Sequence, residues 1–385
     1  MIGYLTTEYP GITQNYGGIG TSIKDLSSCL IDRRLNPVII LVNDDNDSVQ
    51  ISEGVSIVKI KRIRFPGLTA FLTGFKVSKV VNELVRQGKM EVLEVPDWTG
   101  LSAFVKVSCP IVMRLNGSET YFKFLEGKAA KFRYRFLEQR AFKKTDYLIS
   151  VSRYTADVTN QIFNSNRIME IIPNAVDSDL FVPSEIIATQ QTVLYFGTLT
   201  RKKGVFELPA IFGIVHKNNP DVKILLIGRD NPDTHTGSES TWMQLQKQFE
   251  TFGVSNVQYI PALPRHELIS YIQRASVCVF PSYAEALPVS WLEAMSCGKA
   301  VVASNIGWAS EIIADSQNGF LVHPADHTGF AGKINLLLSD SELRTRIGVA
   351  AMHNNASCFT TKVIIDHYLK FYSKILGKSI AAYGI

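Results

Sequence analysis

The five cysteines, Cys29, Cys109, Cys278, Cys297 and Cys358, include no CxxC pair. That spacing excludes the common zinc and dithiol motifs and points to reduced, structural thiols. No apolar run approaches the ~18 residues that a membrane-spanning helix needs. Met1 leads straight into the apolar stretch Ile2 to Leu5, with neither a basic leader nor a long apolar one. The expected location is cytoplasmic, extending to a peripheral position on the inner membrane face. Charge of one sign is also scarce in bulk. Lys and Arg number 40 against 35 Asp and Glu, a net charge of +5, so nucleic acid is not an expected partner. The compact GxGxxG turn of NAD-binding folds is missing as well. The early glycines, at 17, 18 and 20, follow the first strand only after a long polar loop, which argues against a dehydrogenase.

A chain of 385 residues with 46% hydrophobic content has ample material for two domains. Strand and helix signals alternate along its whole length, which implies parallel α/β architecture. Strands are expected at 2–6, 38–42, 55–60, 92–95, 111–115 and 147–151. Expected helices in the same half are 19–34, 76–88, 98–107, 126–143 and 153–163. After Pro183 the pattern restarts with strands at 193–197, 223–228, 257–260, 276–280 and 300–303. Helices are expected there at 205–217, 240–252, 265–274, 288–297 and 326–338. A final amphipathic helix, 361–376, should pack on a surface groove. Two Rossmann-like halves with a cleft between them is the simplest assembly, and a cleft is a favoured ligand site. The expected domains are 1–182, joined by the helix at about 360–377, and 186–359.

Four segments carry candidate chemistry. Tyr16-Gly17-Gly18-Ile19-Gly20 precedes a helix, where a glycine backbone and the helix dipole can approach a phosphate; a plain strand-to-helix turn is the alternative. Gly197-Thr198-Leu199-Thr200-Arg201-Lys202-Lys203-Gly204 follows a buried strand. Three consecutive cations there call for an anion, and a diphosphate leaving group fits; an exposed basic turn is the alternative. Asp177-Ser178-Asp179 looks superficially like a metal-binding DxD, but its place after Pro173-Asn174 favours a turn or capping role, and no metal site is expected. Glu285 and Glu293 flank a helix start, in a segment otherwise almost free of charge. Glu285 falls at the C-terminal end of a strand, the ligand edge of an open α/β sheet. Glu293 lies among Leu292, Ala294 and Met295 and needs donors, which sugar or ribose hydroxyls would supply.

In combination and order these segments resemble the retaining nucleotide-sugar glycosyltransferases of the GT-B fold, family four (group 1). The likeness also takes in Ser152-Arg153-Tyr154, Pro173-Asn174, Gly298-Lys299-Ala300-Val301-Val302-Ala303 and Asn318-Gly319-Phe320-Leu321-Val322, so it covers nearly the whole chain. The resemblance implies two Rossmann-like domains with parallel sheets facing a central cleft. It implies that Glu293 binds the donor ribose and that Glu285 meets the donor sugar or its phosphate-proximal face. Arg201 and Lys203 would neutralise the departing diphosphate. Backbone amides of Gly18, Leu287 and Val289, together with Gly197, would hold the donor, and Gly17 and Asn116 the acceptor or sugar. No cofactor is implied beyond the nucleotide-diphosphate sugar as substrate. Three departures stand out. Ala286-Leu287-Pro288-Val289 replaces the frequent Gly-Phe-Gly-Leu, and Pro288 removes one N–H. Thr198 stands where the family often has arginine, which makes Arg201 and Lys202 the substitutes. Asn116 stands where a histidine is frequent, and asparagine does not titrate near neutral pH.

The expected activity is transfer of a sugar, a hexose by resemblance, to a hydroxyl of a growing glycan or lipid-linked acceptor, in cell-surface or extracellular polysaccharide synthesis. Retention without a covalent sugar–enzyme intermediate is expected, with a phosphate oxygen taking the acceptor's proton. A non-catalytic nucleotide-sugar binding protein and a GT-B nucleotide-sugar epimerase remain as alternatives. Residues 121–144 hold eight basic and two acidic side chains. Phe132, Phe136, Leu137 and Arg140 recur there at helical spacing. The segment fits either a core-packing helix with a solvated basic face or an interfacial helix on anionic lipid.

Overall fold

The computed structural model describes residues 1–14, 16–184 and 191–378. They form two compact units, one of residues 1–175 with the chain from Thr361 onward, the other Val176–Thr360. The boundary thus falls at Ala175/Val176, seven residues before the end expected at 182. The expected start of the second domain at 186 lies outside the described residues.

The N-terminal unit is built on an eight-stranded sheet in the order β3-β4-β2-β1-β5-β6-β7-β8. Its strands are β1 (Ile2–Thr6), β2 (Val38–Asn43), β3 (Ser48–Ser52), β4 (Val55–Lys61), β5 (Val92–Pro96), β6 (Ile111–Leu115), β7 (Tyr147–Ser150) and β8 (Glu170–Ile171). Every pairing is parallel except that of β3 with β4. The helices are α1 (Gly18–Asp32), α2 (Thr69–Arg86), α3 (Glu119–Leu125), α4 (Phe132–Lys144) and α5 (Arg153–Phe163). Strand β2 shows how both faces are filled. Ile39 and Leu41 point into one core, with Ile23 and Leu26 of α1. Val38, Ile40 and Val42 point into the other, with Val77 and Val81 of α2 and Leu137, Ala141 and Phe142 of α4. The period-2 side-chain alternation of a strand therefore places α2 and α4 on the same face of the sheet.

In the second unit a six-stranded, wholly parallel sheet runs β11-β10-β9-β12-β13-β14. Its strands are β9 (Thr192–Phe196), β10 (Lys223–Ile227), β11 (Val257–Ile260), β12 (Val277–Phe280), β13 (Ala300–Ser304) and β14 (Phe320–Val322). The helices are α6 (Leu208–Asn218), α7 (Thr241–Thr251), α8 (Arg265–Arg274), α9 (Val289–Ser296), α10 (His327–Ser339) and α11 (Ser341–Cys358). The last helix, α12 (Thr361–Leu376), belongs to the N-terminal unit. Its Ile364, Ile365, Tyr368, Leu369 and Tyr372 pack in the same core as α1.

Several expected elements differ. The helix expected at 98–107 is only a short 3₁₀ turn, Trp98–Gly100, because Thr99 and Gly100 adopt φ of +56° and +63°. A Cβ on Gly100 would lie 2.4 Å from the Leu137 backbone, so the chain there must pass hard against α4. Of the helix expected at 126–143 only α4, from Phe132, forms; Gly127 at φ +66° separates it from α3, which lies wholly before that span. Helix α2 begins at Thr69, seven residues before expectation, and α11 was not anticipated at all.

Candidate active site

In the second unit the basic turn and the two-glutamate segment are laced together. Gly197 follows β9, and Arg201–Lys203 form one 3₁₀ turn closed by Gly204 at φ +66°. A Cβ on Gly204 would come within 1.7 Å of the Pro281 carbonyl oxygen, so only glycine lets this turn seat against the end of β12. The Lys202 carbonyl accepts N–H groups from Tyr283 at 2.8 Å and Ala284 at 3.2 Å. These backbone contacts deliver the Lys203 ammonium to Glu285, Nζ to Oε1 at 2.5 Å. The Ser282 hydroxyl donates to the same carboxylate oxygen at 3.0 Å. Glu285 is buried, so its charge needs this company.

Arg201 turns away from Lys203. Its Nε and Nη2 donate in parallel to Asp233, at 2.8 and 2.7 Å, and its guanidinium lies over the Phe206 ring at 4.2 Å. Arg201, with help from the Thr236 hydroxyl, holds the Asp233 carboxyl well below the usual carboxylate range. The two cations expected to face a diphosphate thus each already meet a carboxylate, and Asp233 was not visible as a partner from sequence spacing. Glu293 emerges from α9 and faces Arg265 at the start of α8, at 3.4 Å; Arg265 in turn lies over Phe181 at 5.0 Å. Pro288 sits at the N-cap of α9 and Val289 is its first helical residue. The first N–H groups of a helix have no intrahelical partner, and in α9 these begin at Val289. The loop after β10 and the end of β11 are tied to α7. Asp230 accepts from Trp242 N and the Ser240 hydroxyl at the start of α7, and Tyr259 stacks on Trp242 with centroids 4.9 Å apart. Asp177 accepts the N–H groups of Asp179 and Leu180, so the DxD-like pair is a capping turn.

In the N-terminal unit the glycine loop has an occupant that sequence reading missed. Glu8 accepts from Gly17 N at 3.0 Å and Gly20 N at 2.7 Å. A carboxylate at a helix N-terminus is electrostatically favoured, and here it uses amides that could otherwise meet a ligand. Gly18 lies between them, with open space where a side chain would project. Asn116 follows β6. Its N–H donates to Asp97 at 3.0 Å, and its side-chain amide reaches back to the Arg114 carbonyl. Asn116 lines a small cavity with Tyr4, Glu94, Pro96, Arg114 and Ser22. Burial pushes the Asp97 carboxyl up to about 7; the amides of Asn116 and Gly117 oppose this, and Glu138 adds to it. Beside it, Arg114 donates to the Ile172 and Pro173 carbonyls, while Glu94 accepts from Tyr372 at 2.5 Å and also from Tyr368. The two tyrosine bonds to Glu94 fasten α12 to β5. Among the described residues no cluster of His, Cys, Asp and Glu could hold a metal ion.

Two α/β units, each on a predominantly parallel sheet, define the GT-B class of fold. A solved structure of Anabaena HepE in complex with UDP-glucose superposes with a TM-score of 0.76 over 97% of this chain and 99% of that one, at 17% identity. The profile described as Glycosyl transferases group 1 matches residues 177–353, and that described as Glycosyltransferase Family 4 matches 16–180. The chain belongs to the group 1 glycosyltransferases. Alpha-maltose-1-phosphate synthase of Mycolicibacterium smegmatis is 30% identical over 263 residues, 62% of this chain and 66% of the relative. N,N'-diacetylbacillosaminyl-diphospho-undecaprenol alpha-1,3-N-acetylgalactosaminyltransferase of Campylobacter jejuni is 33% identical over 120 residues, 31% of each. These alignments take in less than two thirds of each relative's length.

Proposed function

We propose that this protein is a metal-independent, retaining hexosyltransferase. It moves a sugar from a nucleotide-diphosphate donor to a hydroxyl of a growing glycan or lipid-linked acceptor, in cell-surface or extracellular polysaccharide synthesis. The observation that carries the reading is the Lys203–Glu285 pair at 2.5 Å, set on interlocked loops at the C-terminal edge of a parallel sheet. The HepE complex with UDP-glucose and the diphospho-undecaprenol acceptor in the Campylobacter relative's name support the donor and acceptor classes.

Donor binding falls to the second unit. Glu293 takes the ribose hydroxyls, with Arg265 holding its carboxylate in place. Glu285 accepts from a donor-sugar hydroxyl. Amides at the start of α9, near Leu287 and Val289, and the Gly197 turn hold phosphate or sugar oxygens. As the anomeric C–O bond breaks, the sugar gains positive charge and the diphosphate negative charge. Lys203 shifts from Glu285 towards the diphosphate, and Arg201 contributes donors not used by Asp233. Preorganised contacts of this kind are often worth about 3 kcal/mol each. The acceptor hydroxyl, held in the N-terminal unit near Gly17, Gly18 and Asn116, attacks the face that the diphosphate leaves. Its proton passes to a phosphate oxygen, so configuration is retained without a histidine at position 116.

The test is a thermal-shift panel of nucleotide sugars, then transfer assays with the hit. A donor at ~100 times its dissociation constant should stabilise the protein by about 2.7 kcal/mol. Glu293→Ala should remove most of that shift. Donor binding with neither transfer nor hydrolysis would favour a non-catalytic binding protein instead, and acceptor-free conversion of the donor sugar would favour an epimerase.

A further inference from the structure

Helices α2 and α4 lie on one face of the N-terminal sheet, and both carry large apolar groups on their outward sides. Leu68, Phe71 and Phe75 recur at i, i+3 and i+7 along α2, directly after exposed Ile63 and Phe65. On α4, Phe132 and Phe136 stack with centroids 6.2 Å apart. Phe132 is 84% exposed and Phe75 68%, although Leu137, Ala141 and Phe142 on the opposite side of α4 are buried. A core-packing role therefore does not account for the outward rings. The two stripes are joined. Phe104, in the segment between the helices, meets Phe71 edge to face at 5.6 Å. Arg140, one turn beyond Phe136, places its guanidinium over the same Phe104 ring at 4.7 Å and donates to the Ala103 carbonyl.

The charge along the α4 half of this stripe is of one sign, whereas beside α2 Arg64 pairs with Asp44 and Lys76 with Asp47. Of the two acids in 121–144, Glu138 is buried and spent on the amides of Thr99, Glu119 and Thr120. Glu126 is paired with Lys123 and Lys128, at 2.9 and 3.2 Å. Lys131, Arg133, Arg135, Arg140 and Lys143 are exposed. Aromatic rings beside cations suit the headgroup layer of a bilayer, where rings sit at the acyl boundary and cations meet lipid phosphates. Contiguous apolar patches of this kind on soluble proteins mark interaction sites.

We propose that α2 and α4, bridged by Phe104, form one two-helix docking face that seats this unit on a bilayer rich in anionic lipid. The choice of occupant rests on the proposed transfer to a lipid-linked acceptor. It extends the contact from 121–144 to a second helix. No helix among the described residues is long and apolar enough to cross a membrane, so this face would lie on the bilayer surface.

The test is co-sedimentation of the full chain, without donor, with vesicles of phosphatidylcholine alone or with about 30% phosphatidylglycerol. Binding should require the anionic lipid and weaken in salt at about 0.5 M. The pair Phe71→Ser with Phe75→Ser, and separately Phe132→Ser with Phe136→Ser, should each lower partitioning by about tenfold or more. Arg133→Glu with Arg135→Glu should abolish the anionic preference. Unchanged thermal unfolding would show that each variant is folded. Absence of binding, equal binding to neutral vesicles, or an unaffected α2 variant would overturn the proposal. So would self-association in sedimentation velocity that the α2 variant removes, since a second copy would then cover the face. Transfer to a soluble glycan, assayed without vesicles, reports separately on the transferase reading.

Discussion

Lys203 Nζ lies 2.5 Å from Glu285 Oε1, across 82 residues of sequence, because Gly204 fits under Pro281 and the Lys202 carbonyl binds Tyr283 and Ala284. Each group therefore compensates the other's charge. A diphosphate or a sugar hydroxyl arriving at this pair would exchange one partner for another, with little new desolvation.

This pairing makes stability and catalysis separable. Lys203→Ala removes the cation and leaves a buried carboxylate uncompensated, so it should lower stability by about 1–3 kcal/mol. It should also lower turnover by about 10²–10³-fold. Adding Glu285→Gln to Lys203→Ala should restore most of the stability but none of the turnover. Thermal unfolding and kcat at saturating donor check both outcomes. Near-normal transfer by Lys203→Ala would remove this lysine from the leaving-group role.

Arg201 gives a sharper test, because its bidentate bond to Asp233 competes with any phosphate. Asp233→Asn weakens that hold and should tighten donor binding by several-fold, while Arg201→Ala should weaken it. Coupling between the two positions in a double-mutant cycle on stability should be about 1 kcal/mol, since Arg201 is 42% exposed. If both variants weaken donor binding alike, Arg201 acts only by holding the loop after β10. Donor titration by calorimetry distinguishes the two.

Much of this arrangement is legible in the sequence, and the exceptions have physical causes. Helix α5 and the strands β1, β6 and β11 fall where the apolar pattern puts them, because burial repeats at a local period. The register that joins Lys203 to Glu285 depends on Gly204 packing beneath Pro281, a long-range contact with no periodicity. The same holds for Asp233 on Arg201 and Arg265 on Glu293. Glu8 precedes Gly17 by nine residues in an irregular loop, so no spacing rule marks it as the cap of α1. The helix expected at 98–107 failed because Gly100 serves a close approach to α4, and α11 was missed because it has little one-sided apolar pattern.

Gly204 should tolerate no side chain. Gly204→Ala must accept a left-handed φ of +66° and a Cβ within 1.7 Å of the Pro281 oxygen, so the turn has to shift. The expected cost is about 2–4 kcal/mol in urea unfolding. Turnover should fall further than Gly253→Ala, at a loop glycine with φ +69° and open space around it. Equal effects on activity from the two substitutions would show that strain alone, and not the seating of Lys203, is being measured.

Asp97 should contribute a loss of stability as pH rises. Its carboxyl is pushed up to about 7 by burial, from an ordinary value of 3.8, while the backbone of Asn116 and Gly117 donates to it. Between those two values the folded chain retains a proton that the unfolded chain has released, so raising the pH favours unfolding. The loss accumulates from about pH 4 to about pH 7 and is constant above that. Glu94 and Glu138, also raised by burial, act in the same direction. Asp97→Asn keeps an oxygen for the Asn116 N–H but has no proton to lose. It should flatten the profile across this window and be more stable than the parent at about pH 8, with little gain at about pH 4. Urea midpoints at the two pH values measure this directly. An Asp97→Asn profile parallel to that of the parent would mean that Asp97 stays ionised in the fold; the comparison is needed because Asp44, Asp47, Glu91, Glu126 and Asp233, whose carboxyls are lowered, act in the opposite direction.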